Sequence, residues 1–118
     1  MKVVYSKYIP PKNFTAINIF GFIFIRNEYK DILAKNIFLQ QQLLNHEAIH
    51  TRQMKETLYI FFYLWYGLEW LIRWIAYGFN STKAYKNLLF EREAYMNDHN
   101  FGYLELRLKY TWMKISNK

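Results

Sequence analysis

The stretch whose reading decides the fold is residues 37–57, IFLQQQLLNHEAIHTRQMKET. Leu39, Leu43, His46, His50, Gln53 and Thr57 recur at spacings of three and four, so they form one stripe of a helix. No Gly or Pro interrupts the pattern before Gly67, and the helix is expected to continue past residue 60. The stripe is apolar before its histidines, so the histidine pair is expected to face inward.

His46 and His50 stand at i and i+4, one turn apart on one face, where two imidazoles can reach one metal ion. Glu47 lies beside the first, giving the pattern HExxH. In a zinc hydrolase such a glutamate does not bind the metal. It takes a proton from water whose pKa the metal has lowered, and later passes it to the leaving amine. The chain has three histidines and no cysteine, so any metal site must be completed by His, Asp or Glu. Two candidates lie downstream on another expected helix: Glu91 and Glu93, in FEREAY, residues 90–95. Two histidines and a glutamate are a standard catalytic zinc set that leaves one position open.

HExxH followed by a glutamate on a later helix resembles the gluzincin branch of zinc metallopeptidases, and the chain length is most similar to the small single-domain versions called minigluzincins. The resemblance covers residues 14–100. It implies a small edge sheet, an active-site helix, a backing helix and a glutamate helix. It also implies Zn²⁺ held by His46, His50 and Glu91, with Glu47 as general base in peptide-bond hydrolysis. The family's third-ligand motif is Glu-x-x-small-Asp. Glu91-Arg92-Glu93-Ala94-Tyr95 supplies the glutamate and the small residue but has Tyr95 in place of the Asp. Glu93 is the competing third ligand.

Helical spacing places Tyr95 and Asp98 on the Glu91 face, at i+4 and i+7. Either could hold the far nitrogen of a ligating histidine, and Asp98 is the better acceptor. Tyr95 could instead polarise a substrate carbonyl, and His99 could stabilise an oxyanion. Packing or surface roles are equally compatible with these three positions.

The other segments set the architecture. Pro10-Pro11 marks an extended N-terminal segment. In FTAINIFGFIFIR, residues 14–26, β-branched and aromatic residues alternate with a phase slip at Gly21, which predicts an antiparallel strand pair, or one bent strand, with a tight turn or bulge. Residues 27–36 read as a loop. Residues 57–79 hold ten aromatics in 23 positions. That length could span a bilayer, but Glu69 and Arg73 interrupt it at i,i+4 and the aromatics are spread rather than belted. A buried backing helix or hairpin is expected, with peripheral membrane contact as a further possibility. Asn80-Ser81-Thr82 offers an N-cap for a helix over about 82–100, with Gly102 as its stop. The tail YLELRLKYTW, residues 103–112, alternates, which favours a strand over a helical or irregular tail.

Together these give one α+β, mainly α domain over residues 1–118. The formal net charge of +7 is dispersed and shows no nucleic-acid motif, so no nucleic-acid partner is expected. The N-terminus lacks the apolar run of a signal peptide, which points to a cytoplasmic or peripherally membrane-associated protein. The expected partner is a peptide or protein substrate, which could add as a strand to the edge of segment 14–26. The alternative is a membrane-associated or interaction module with a structural or vestigial zinc site.

Overall fold

A computed structural model describes residues 2–12 and 14–114. Three strands come first: β1 (Lys2–Ser6), β2 (Ala16–Ile19) and β3 (Phe22–Arg26). Six helices follow: α1 (Lys30–Lys35), α2 (Ile37–Glu56), α3 (Ile60–Ala76), α4 (Ser81–Lys86), α5 (Leu89–Asn97) and α6 (Tyr103–Leu106). The α+β, mainly α architecture is the one expected from the sequence.

The strand pair over 14–26 is present and antiparallel, with Ala16 opposite Ile25 and Ile19 opposite Phe22. The turn residues Phe20 and Gly21 both have positive φ, 51° and 91°, as a type I′ hairpin requires. A phenylalanine is strained there. Its amide donates to Tyr63 Oη at 2.9 Å, and the Gly21 amide donates to Asn18 Oδ1 at 2.8 Å. The sheet has a third member, however: β1 pairs in parallel with β3, giving the order β1-β3-β2. Segment 27–36 is also not a loop, since a 3₁₀ turn at Asn27–Tyr29 leads into α1.

Asn36 caps α2 by accepting from the Leu39 amide at 3.0 Å. Contrary to expectation, α2 stops at Glu56. Thr57 Oγ1 donates back to the Gln53 carbonyl at 2.8 Å, and Leu58 and Tyr59 both have positive φ, 56° and 62°. The chain thereby reverses, and Phe62 of α3 joins Met54, Phe90 and Trp112 in one buried cluster. A second cluster, Ile23, Ile25 and Leu33, is packed by Leu43 and Leu44 of α2.

Two more sequence expectations are corrected. The helix expected over 82–100 is two helices. Asn80 caps α4 as predicted, accepting from the Lys83 amide at 3.0 Å. Leu88 is then extended and fully buried, and Glu69 accepts from the Leu89 amide to open α5. A carboxylate from α3 thus supplies the cap that local residues do not. The expected tail strand is instead α6 followed by a 3₁₀ turn at Thr111–Lys114. Its alternation is broken by two inward anchors, Trp112 and Arg107. The Arg107 side chain is wholly inaccessible and pairs with Glu93 and with both oxygens of Glu56, at 2.7 and 2.8 Å.

This buried triad generates a stability prediction. Arg107→Met leaves the Glu93 carboxylate buried without its cation and is expected to cost about 3–5 kcal/mol in a denaturant titration. Burial works against the Glu56 charge, but the Arg107 bonds and the Tyr110 amide outweigh it and hold this carboxyl below its ordinary 4.5. A depressed folded value means that the contribution is complete above 4.5 and is lost as pH falls through the folded value. Parent stability should therefore drop in acid below 4.5, and part of that drop should vanish in Glu56→Gln.

Candidate functional site

α2 and α5 pack face to face where Ala94, fully buried, lets them approach. His46, Glu47 and His50 of α2 and Glu91 of α5 are all buried at this crossing. His46 Nε2 and His50 Nε2 are 3.2 Å apart. Glu91 Oε1 stands 3.2 Å from the first and 3.0 Å from the second. These three ligand atoms form a group able to hold a metal ion.

The outer nitrogens decide which way the imidazoles present their lone pairs. His46 Nδ1 lies 2.9 Å from Asp98 Oδ2, and His50 Nδ1 lies 2.8 Å from Gln53 Oε1. The Gln53 amide is oriented by its own donations to the Phe90 carbonyl and to Glu93 Oε1, at 3.0 and 2.9 Å. Its oxygen must therefore accept, so His50 Nδ1 carries a hydrogen. A carboxylate partner requires the same of His46. Both Nε2 atoms then point lone pairs at one another and at a carboxylate oxygen. Three acceptors facing one point need a cation or a proton between them.

The electrostatics carry the same signature. Burial disfavours a charged His50, but Glu91 overcomes it and pushes the imidazole up to about 9. Burial likewise acts against Glu91, and the two histidines hold its carboxyl far below the usual range. Glu47 is the exception: burial pushes its carboxyl up, against the pull of both histidines. A buried carboxylate with a raised pKa is a better base near neutrality.

A surrounding set of bonds holds the cluster. Tyr66 of α3 donates to Glu91 Oε2 at 2.6 Å, and burial followed by the Glu91 charge keeps its hydroxyl protonated. Gln42 donates to Asp98 Oδ1 at 3.0 Å. Asn45 Nδ2 gathers the carbonyls that end α5, at 2.8 Å from Asp98 O and 2.9 Å from Asn100 O. Asn18 of β2 donates to the Glu47 carbonyl and to Thr51 Oγ1, at 2.9 and 2.8 Å, which ties the hairpin to the HExxH turn.

Of the residues singled out in the sequence, His46, His50 and Glu91 share one centre, with Asp98 behind His46. Glu93 lies elsewhere, fully buried among Arg107, Tyr103 and Gln53. The Tyr95 ring packs at a steep angle on the His46 ring, with centroids 4.6 Å apart, and its hydroxyl meets Tyr85 Oη at 3.2 Å. The His99 ring is exposed, 3.9 Å from Asp98 Oδ1 and outside the cluster. Sequence reasoning did not pick out Gln42, Asn45, Asn18, Tyr66 or Tyr85. Gln42 was within reach of it, because it stands four residues before His46 on the same face. Tyr66 had no such signal, since its role depends on where α3 crosses α5.

No protein-family model, curated protein or solved structure matches this chain.

Tyr66→Phe removes the donor to Glu91 Oε2 while keeping the ring. It is expected to lower the unfolding free energy by about 1–3 kcal/mol, the range for a buried acceptor left unpaired, as read by chemical denaturation.

Proposed function

We propose that this chain is a zinc-dependent peptidase whose ligands are His46, His50 and Glu91 and whose general base is Glu47. The observation that carries this reading is the convergence of three pinned lone-pair donors beside a buried carboxylate with a raised pKa. The donor set suits zinc: two imidazole nitrogens and one carboxylate oxygen, with no soft thiolate and too few oxygens for calcium. Ligand atoms on a tetrahedral zinc at about 2.0–2.1 Å lie about 3.3 Å apart. The three atoms here are 3.0–3.2 Å apart. Two further features of the set favour a catalytic reading. Three protein ligands leave a fourth position open, and each imidazole is backed by a hydrogen-bond acceptor.

When bound, zinc would supply a Lewis acid that lowers the pKa of water and polarises a carbonyl. The protein's own groups divide the remaining work. Glu47 accepts a proton from the attacking water and returns it to the leaving amine. Asp98 and Gln53 hold the two imidazoles in the tautomer that presents Nε2. Tyr66 occupies the second oxygen of Glu91, so that one oxygen remains for the ion. Tyr95 and Tyr85 keep protonated hydroxyls, both pKa values being raised first by burial. Tyr95 is 47% exposed and so can donate to an incoming substrate carbonyl.

Metal analysis of purified protein tests the ligand set. The expected result is one zinc per chain in the parent and in Glu47→Gln, and strong loss in Glu91→Gln. Glu93→Gln should keep its zinc where it folds, because Glu93 serves Arg107. A parent without zinc above background overturns the reading. Cleavage of a mixed peptide library, followed by mass spectrometry, should disappear in Glu47→Gln.

Asp98→Asn is expected to weaken zinc affinity by about 10–100-fold, the usual effect of removing a carboxylate behind a ligating histidine. Competition with a chelator measures this directly.

A further inference from the structure

α3 is built inside out. Its polar and charged side chains, Tyr63, Tyr66, Glu69 and Arg73, lie on the half-buried side. Its exposed positions are all apolar. Ile60 is 64% exposed, Leu64 62%, Leu68 61% and Ile72 58%, whereas Phe62 on the inner side is 4% exposed. Phe61, Trp65, Leu71 and Ile75 continue the outer face. At about 100° per residue, the positions from Ile60 to Ala76 exposed on this helix sweep an arc of about 180°. The two charged residues on α3 do not break that arc. Arg73 Nε donates to Glu69 Oε2 at 2.7 Å, and Glu69 also receives the Leu89 amide.

The arc width argues about the occupant. A single partner helix covers a narrow seam of a and d positions. Half a cylinder of exposed aliphatic and aromatic side chains suits an apolar medium that meets it from all outward directions. Charge points the same way. Exposed acidic residues among those described are Glu28, Asp31 and Glu105, whereas exposed lysines run from Lys2 to Lys114. Four of these lysines stand over, or within three residues in the chain of, side chains that pack against α3 or its end. Lys55 lies in the last turn of α2, and Lys83 sits over the Tyr77 ring at 4.7 Å where α3 ends. Lys109 and Lys114 flank Trp112, whose ring packs on Trp65 at 5.3 Å. A second copy docked on this face would bring two lysine-rich surfaces of like charge together. An anionic headgroup layer would neutralise that charge.

We propose that the outer face of α3 lies in the headgroup–acyl boundary of an anionic phospholipid bilayer. The helix lies along the surface. Among the described residues, no helix is long and apolar enough to cross a membrane. The inner face of the same helix carries Tyr66 to Glu91, so docking would hold the candidate site at the membrane surface. The proposal stands independently of zinc.

Co-sedimentation of the full chain with vesicles tests it. The protein should pellet with phosphatidylcholine–phosphatidylglycerol vesicles, less with phosphatidylcholine alone, and less as salt is raised. Leu68→Glu should reduce partitioning by about tenfold or more, with an unchanged circular dichroism spectrum. Ile32→Glu, on α1, should partition like the parent. Trp65 fluorescence gives a second readout that needs no charged variant. The parent minus Trp65→Phe difference spectrum should shift to the blue on anionic vesicles and be quenched by brominated lipid. A parent that stays in the supernatant with every vesicle overturns the proposal, as does Leu68→Glu binding like the parent. If the parent is instead a dimer by light scattering, Leu68→Glu is a monomer and neither binds vesicles, the face belongs to a second copy and the proposal fails.

Discussion

Much of the structure depends on one unfavourable meeting: two imidazole lone pairs and a carboxylate oxygen within 3.2 Å of one another. With neither a proton nor a cation between them these atoms repel. They stay together because each is fixed from behind, by Asp98, by Gln53 and by Tyr66. Those three residues come from the C-cap of α5, from α2 and from α3, so the centre is also the point at which the three helices are registered. Asn18 brings in the hairpin by gripping the Glu47 carbonyl, and Asn45 ties down the end of α5. A cluster this buried and this well supported could hold a cation, which is the physical basis for the metal-centre proposal.

The supporting bonds extend further than the centre itself. Gln53 joins His50 to Glu93, Glu93 pairs with Arg107, and Arg107 holds Glu56 at the end of α2. A charge in the tail is thereby coupled to the orientation of a candidate ligand through two side chains. The same economy shapes the exterior. Glu47, Glu56, Glu69, Glu91, Glu93 and Asp98 are turned inward, and the lysines that remain outside make the surface cationic. Net charge, which by itself says little about function, becomes informative once the missing anions are located.

Two kinds of feature were legible in the sequence. One is local geometry. The pairing of His46 with His50 follows from i,i+4 spacing on a single helix, the hairpin turn from Gly21, and the α4 cap from Asn80. The other is local attraction: Glu69 and Arg73 do pair, at 2.7 Å. The boundaries were harder. The stop at Glu56 and the break at Leu88 have no Pro or Gly to announce them. After Glu56 the reversal carries Phe62 into the core, and at Leu88 the extended residue buries its own side chain while Glu69 of α3 caps the helix that follows. The tail failed as a strand because Arg107 and Trp112 are drawn inward by partners far away in sequence.

The sequence by itself determined that two histidines would share a face, that a glutamate would stand beside them, and that two glutamates downstream could complete the set. Only the tertiary structure separated those two. Glu91 and Glu93 are two residues apart on one helix and so project about 200° apart. Which of them meets the histidines depends on the rotation of α5. That rotation is set by the break at Leu88, the Glu69 cap, the buried Ala94 and the pull of Arg107 on Glu93. The two faces of α3 were decided in the same way. Its composition reads as a buried helix, yet the neighbours it packs against cover only the half that carries its polar and charged side chains, leaving an apolar half outside.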